Sequence, residues 1–210
     1  MNELLERGLK VVPVTIWGDE VVIGFNAKEL ARLFNLSGDV PVATPAIMVE
    51  KYDTVLTAAC RAVRQIPPEY LDWESPERSR PLRTFTFHIM DRPDRALNAY
   101  QVGMYSSEDR GRDVRVVLGD AGFEEIALYG EDVLRRVKAA LTGETEFNLE
   151  KVLDSYMGPK TAQELMDLAL GHSVHHLKQL YQYMAIAGIT PEEPLAQEDF
   201  DGVAVPTELF

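Results

Sequence analysis

The chain has 210 residues, with 21 Lys and Arg set against 34 Asp and Glu, a formal net charge of -13, and 46% hydrophobic residues. That length suits one sizeable domain, or one domain with a small appendage. The negative balance argues against a nucleic-acid partner, which needs clustered Lys and Arg. No apolar run approaches the ~18 residues that span a bilayer, and Met1 to Arg7 lacks the basic and apolar regions of a signal peptide. The expectation is a cytoplasmic protein that contacts no membrane. The single cysteine, Cys60, sits among Ala58, Ala59 and Ala62. It excludes an internal disulfide or a cysteine metal cluster and reads as a buried, inert thiol.

Residues 1–36 differ in pattern from the rest. Glu3 to Lys10 reads as a short helix. Val11 to Trp17 is β-rich, Gly18-Asp19-Glu20 is a turn, and Val21 to Phe25 is a second strand of the same hairpin. Asn26 then caps a helix predicted over Ala27 to Leu36, with Leu30, Ala31, Leu33 and Phe34 apolar. Helix, Val12-Pro13 strand, turn, strand ending in Gly24-Phe25, and helix together resemble the C-terminal half of a glutaredoxin. Val12-Pro13 would match that family's cis-proline position. Its redox cysteines have no counterpart here, so the resemblance implies no thiol–disulfide chemistry and leaves a structural appendage or, as the alternative, a thiol-recognising loop. A lone hairpin is marginal in water, so packing on the main domain or on a second subunit's sheet edge is expected.

Ser37 to Pro45 reads as a linker. From Pro45 the period becomes helical. The first helix, Ala46 to Gln65, places Ile47, Val55, Leu56, Ala59, Cys60 and Val63 at core spacing, and Pro67-Pro68 ends it. The basic stretch Glu77-Arg78-Ser79-Arg80-Pro81-Leu82-Arg83 reads as a solvated loop and helix start. Pro81 opens a second helix that carries His88, with a kink or break expected near Pro93. Residues 103–120 read as mixed loop, with Val114 to Leu118 a short strand or helical turn. The third helix is predicted over Gly130 to Leu141, with Val133, Leu134, Val137 and Leu141 inward. A connection runs from Glu144 to Lys160. The fourth helix starts at Thr161, where Glu164 completes a capping box, and Gly188 stops it after about Ala187. Its buried stripe is Leu165, Leu168, Ala169, His172, His176, Leu180 and Met184. Residues 191–210 form an acidic, proline-containing tail that reads as extended or poorly ordered, with an apolar end, Val203 to Phe210, placed to dock on the surface.

All four histidines fall in two of these helices: His88 in the second, and His172, His175 and His176 in the fourth. Residues i and i+4 project from one helix face. The His172/His176 pair plus His88 from a second helix is therefore a natural holder for a divalent metal. Three neutral imidazoles leave water-filled positions on an ion such as Zn or Ni, and such an ion lowers the pKa of a bound thiol or water. His175 points about 100° away and reads as a supporting or surface residue, with substitution for His176 as ligand the alternative. Gln179 follows it by four and would hydrogen-bond to it or lie exposed. Asp91 and Asp167 are candidate acceptors for imidazole N–H groups, though each reads more readily as solvent-facing. Met90, Met166 and Met184 read as packing, as do Tyr181 and Tyr183, whose hydroxyls are alternatives for the site mouth.

His88 in Phe87-His88-Ile89 and the run His172-Ser173-Val174-His175-His176-Leu177-Lys178-Gln179-Leu180 resemble the DinB-like superfamily, which includes bacillithiol S-transferases and mycothiol-dependent isomerases. Met157 to Thr161 and Ala187-Gly188-Ile189 are similar to the turns flanking that family's fourth helix. The resemblance covers about residues 45–190. It implies a mainly α fold, an up-down-down-up four-helix bundle over 46–190 preceded by the small hairpin and helix. It also implies His88, His172 and His176 as metal ligands and a homodimer. The implied activity is activation of a low-molecular-weight thiol, or water, for transfer to an electrophile in detoxification or stress. Alternative readings are a non-catalytic metal- or ligand-binding protein of the same fold, and a structural bundle whose histidines hydrogen-bond in the core. No residue is singled out as a catalytic nucleophile or base, because no Gly-x-Ser-x-Gly or phosphate-binding glycine loop occurs.

Overall fold

The structure is a computed structural model, and it describes residues 14–23, 27–36, 43–75, 78–107 and 112–203. The helix expected over Glu3 to Lys10, the Val12-Pro13 and Gly24-Phe25 motifs, the Asn26 cap and the tail beyond Val203 lie outside these residues. The chain divides into two compact units, residues 1–42 and 43–210. The division falls inside the predicted linker.

In the first unit, β1 (Val14–Trp17) and β2 (Glu20–Ile23) pair antiparallel, with Trp17 opposite Glu20. The two-residue turn is Gly18-Asp19, and Gly18 takes φ 61°, a left-handed value that favours glycine in hairpin turns. α1 (Ala27–Leu33) stops three residues short of the predicted end, where Asn35 adopts φ 50°. Phe34 sets its ring edge-on to Trp17 at 5.5 Å, and Arg32 pairs with Glu20 and Glu29.

The second unit is mainly helical. Four long helices carry it: α2 (Pro45–Arg64), α3 (Leu82–Val102), α5 (Phe123–Thr142) and α6 (Ala162–Ile186). α5 packs against α2 and α3, and α6 packs against α3 and α2, so α2 and α3 face each other across a diagonal. A one-turn helix α4 (Val114–Leu118) brings the count to six helices among the described residues. Val114 to Leu118 is thus the helical turn, with Asp113 accepting the Arg115 N–H as its cap. Short strands join the helix ends. β3 (Glu74–Ser75) pairs with β4 (Arg78–Pro81), and β5 (Met104–Tyr105), β6 (Val152–Ser155) and β7 (Lys160–Thr161) form a small sheet inside stretches expected to be loop. None of the helices searched is long and apolar enough to cross a membrane.

The core follows the helical period, with local corrections. Ile47 is largely exposed, and Met48 and Tyr52 are buried in its place, because the inward stripe of α2 runs through Met48, Tyr52, Val55, Leu56, Ala59 and Val63. The Tyr52 hydroxyl donates to the Met166 carbonyl at 2.7 Å and ties α2 to α6. α5 begins seven residues before the predicted Gly130 start, with Glu125 reaching back to the Gly122 N–H. Gly130 lies inside that helix because space there is short: a Cβ would sit 2.7 Å from Cys60 Sγ and 2.9 Å from Met90 Sδ. The Cys60 thiol is pushed up to about 12, chiefly by burial, as an inert core thiol requires. Phe200, in the 3₁₀ turn Gln197–Phe200, is buried, with Lys178 Nζ 4.7 Å above its ring. The tail is therefore docked as far as that turn.

Pro93 does not break α3. A proline at this position leaves the carbonyl four residues earlier, that of Ile89, without its helical N–H. The buried Ser173 hydroxyl of α6 donates to the Ile89 carbonyl at 2.8 Å and replaces the missing bond. Ser173 adjoins His172, and Ile89 adjoins His88, so this bond joins the two histidine-bearing helices where the histidines meet. Ser173→Ala orphans a buried carbonyl and is expected to cost about 1–3 kcal/mol. Urea unfolding measures it. A Pro93→Ala/Ser173→Ala double variant, which restores the helical donor, recovers most of that loss, whereas a single variant as stable as wild type contradicts the role.

Candidate metal centre

Helix geometry assembles the site. His88 lies in the second turn of α3, and His172 and His176 are one turn apart on α6. The capping box of Thr161 and Glu164, present as expected, fixes the start of α6 and with it the phase of its histidines. His88 Nε2 and His172 Nε2 approach to 2.9 Å. Ring centroids are 4.2 Å apart for His172 and His176, and 5.2 Å for His88 and His176. One ligating atom from each histidine can be chosen so that all three lie within 4.8 Å of one another. A tetrahedral zinc with Zn–N of about 2.0–2.1 Å needs ligand nitrogens about 3.3 Å apart.

The protonation states suit a cation. Burial pushes His88 down to about 2, with His176 and the Arg92 and Arg80 guanidinium groups adding to the shift. Burial lowers His176 to about 3 against the opposing effect of its hydrogen bond to Gln179, and it lowers His172 well below the ordinary range. All three are therefore neutral at physiological pH, each with a lone pair to offer. His176 is also held in one tautomer. Its Nδ1 stands 2.6 Å from Gln179 Oε1, so Nδ1 carries the proton and Nε2 keeps the lone pair. Phe85 packs edge-on against the His176 ring at 5.3 Å and closes that side with an apolar wall.

Several supporting roles differ from the sequence reading. Gln179 serves His176, three residues before it, instead of lying exposed or serving His175; it is buried. His175 is half-buried, with its ring 5.3 Å from that of His176. Asp91 is fully buried instead of solvent-facing, and it accepts from Arg112 Nε at 2.7 Å. Asp167 is half-buried and raised to about 6, by burial first and then by Glu164. Met90, Met166 and Met184 are core residues as expected, and Tyr183 is buried against Phe85 and Trp73. The Tyr181 hydroxyl accepts the Leu195 N–H.

Arg92 went unrecognised in the sequence, although it follows His88 by one turn on the same face. Its Nε donates to His172 Nε2 at 3.2 Å and its Nη1 to the Tyr105 hydroxyl at 2.8 Å. That contact uses the lone pair a metal would need, and the guanidinium charge repels a cation. Arg92→Gln is therefore expected to raise Co(II) affinity at least tenfold, about 1.4 kcal/mol, measured by competition with a chelating indicator. Unchanged or weaker Co(II) binding contradicts this competition.

No protein-family model matches the chain, and no curated protein shows significant similarity to it.

Proposed function

We propose that the chain is a divalent-metal protein of the DinB-like kind, with an up-down-down-up four-helix bundle, that activates a small thiol for transfer to an electrophile. The reading rests on one observation: three neutral imidazoles from two helices converge, His176 buried and His88 and His172 half-buried, and His176 is held by Gln179 with its Nε2 free. Zn or Ni suits an all-nitrogen donor set. Bound at His88, His172 and His176, such an ion would lower the pKa of a thiol. The thiol proton is released to solvent. The sulfur then forms a C–S bond as the acceptor's leaving group departs with the electron pair of the broken bond. The chain's own part is to hold the donors neutral, to exclude water through Phe85 and the core beneath it, and to place Arg92 and Tyr105 beside His172. The DinB-like assignment and a homodimer rest on the motif resemblance.

Co(II)-substituted protein tests the reading. On addition of 2-mercaptoethanol it should gain a near-ultraviolet thiolate-to-cobalt band, and it should consume monobromobimane faster than the free thiol does. Co(II)-loaded protein that gives no band and no acceleration overturns thiol activation and leaves a metal-binding protein. A second reading, a structural histidine cluster, is favoured by the hydrogen bonds that Arg92 and His88 already make to His172 Nε2. It predicts no bound metal.

A further inference from the structure

Arg83 carries a charge that its surroundings answer poorly. Its side chain is only 12% exposed, and the carboxylates it pairs with among the described residues, Asp72 at 3.8 Å and Asp120 at 3.9 Å, are 73% and 96% exposed. The Nε is buried and has no hydrogen-bond partner among the described residues. A buried guanidinium normally has close, hydrogen-bonded counter-charges. Here it faces a cavity of about 430 Å³.

The rest of the cavity wall points the same way. Arg80, Arg112 and Arg115 line it beside Arg83, against Asp72 and Asp113. Four arginines against two aspartates line it, in a chain whose net charge is -13, although Arg112 is itself paired with Asp91 and Asp94. Asp113 accepts the Arg115 N–H, and no ion pair joins it to Arg83 among the described residues. The first turn of α3, at Pro81 and Thr84, also borders the cavity, and a helix N-terminus favours negative charge. His88 is part of the same wall. The basic stretch around Arg80 and Arg83, which in sequence reads as solvated, lines this cavity.

We infer that this cavity binds an anionic group, a carboxylate or a phosphate, and that the substrate reaching the three histidines is an acid. Planar, forked guanidinium donors match both groups, and the cavity has the volume of a small-molecule site. The anion site stands on the cavity alone; its assignment to the substrate rests on the metal reading above.

Two arms separate these parts. In the first, chelator-treated protein is titrated at constant ionic strength with malonate, with inorganic phosphate, and with neutral malonamide. Malonate or phosphate is expected to raise Tm saturably, by about 2–4 °C at five times Kd, and the stronger of the two names the anion class. The rise persists in the His172→Ala/His176→Ala variant. It is lost in Arg83→Gln, and its half-saturation point moves at least threefold higher in Arg115→Gln, an exposed side chain whose removal leaves the fold intact. A rise equal to that with malonamide, or one unchanged in both arginine variants, overturns the anion site. In the second arm, Co(II)-loaded protein is titrated with 3-mercaptopropionate and with 2-mercaptoethanol. At least tenfold tighter binding of the acidic thiol, lost in Arg83→Gln, supports the link between the sites. No preference, with malonate binding intact, overturns that link alone.

Discussion

Asp94→Ala is expected to destabilise the protein by about 3–5 kcal/mol, because it strips the counter-charge from a buried ion network. Asp94 on α3 accepts from Arg112, from Arg136 of α5 and from the Tyr129 hydroxyl, the last at 2.8 Å. The same Tyr129 hydroxyl accepts from Arg112 at 2.8 Å. Burial alone would raise the Asp94 carboxyl, but the hydrogen bonds from Arg136, Arg112 and Tyr129 outweigh it and hold the group below its ordinary range. Without Asp94, the carboxylates left among the described residues are the half-exposed Asp132 for Arg136 and Asp91 for Arg112. The network thus anchors the segment before α4, which carries Arg112 to the cavity wall. Asp132→Ala, by contrast, removes an exposed partner and should cost less than about 1 kcal/mol. Urea unfolding of the two variants measures the difference. Equal, small losses would mean that the packed helices hold α3 and α5 together without the network.

Metal-free protein should lose stability steeply below pH 6.5. In the unfolded chain each histidine titrates near 6.5, whereas burial holds His88 at about 2 and His176 at about 3, with His172 also far down. Below pH 6.5 the unfolded state therefore binds protons that the folded state refuses, and stability rises with pH. The contribution is fully present above 6.5 and is lost as pH falls towards 3. Three such groups cost about 4 kcal/mol at pH 5.5 relative to pH 8, a large part of a typical folding free energy. Urea midpoints of chelator-treated protein from pH 8 to 5 follow this loss, and His88→Leu should flatten the slope by about a third. A midpoint that stays constant over that range contradicts three imidazoles held neutral in the fold.

The histidine site was legible because its signals are local. The spacing of His172 and His176 and the capping box at Thr161 survive any tertiary arrangement that keeps α6 helical. What surrounds the site was not legible, because it depends on contacts between distant segments. Pro93 reads as a helix breaker until Ser173, eighty residues on, supplies a donor to the Ile89 carbonyl. Gly130 reads as a poor helix former until Cys60 and Met90 close around it. The two-residue strands Met104–Tyr105 and Lys160–Thr161 have no periodicity to read, and each pairs through Val152–Ser155. Spacing suggested Gln179 for His175 by an i, i+4 rule, whereas the observed bond is i, i+3 to His176. The arginines around the cavity read as solvated charge because burial is not visible in composition.

Metal content of tag-free protein, measured by mass spectrometry beside His172→Ala/His176→Ala after equal exposure to Zn or Ni, tests the central claim most directly. About one transition-metal ion per chain in the wild type, and essentially none in the double variant, is the predicted result. No metal in either protein, with both folded, would contradict it and leave the three imidazoles as a hydrogen-bonded structural cluster.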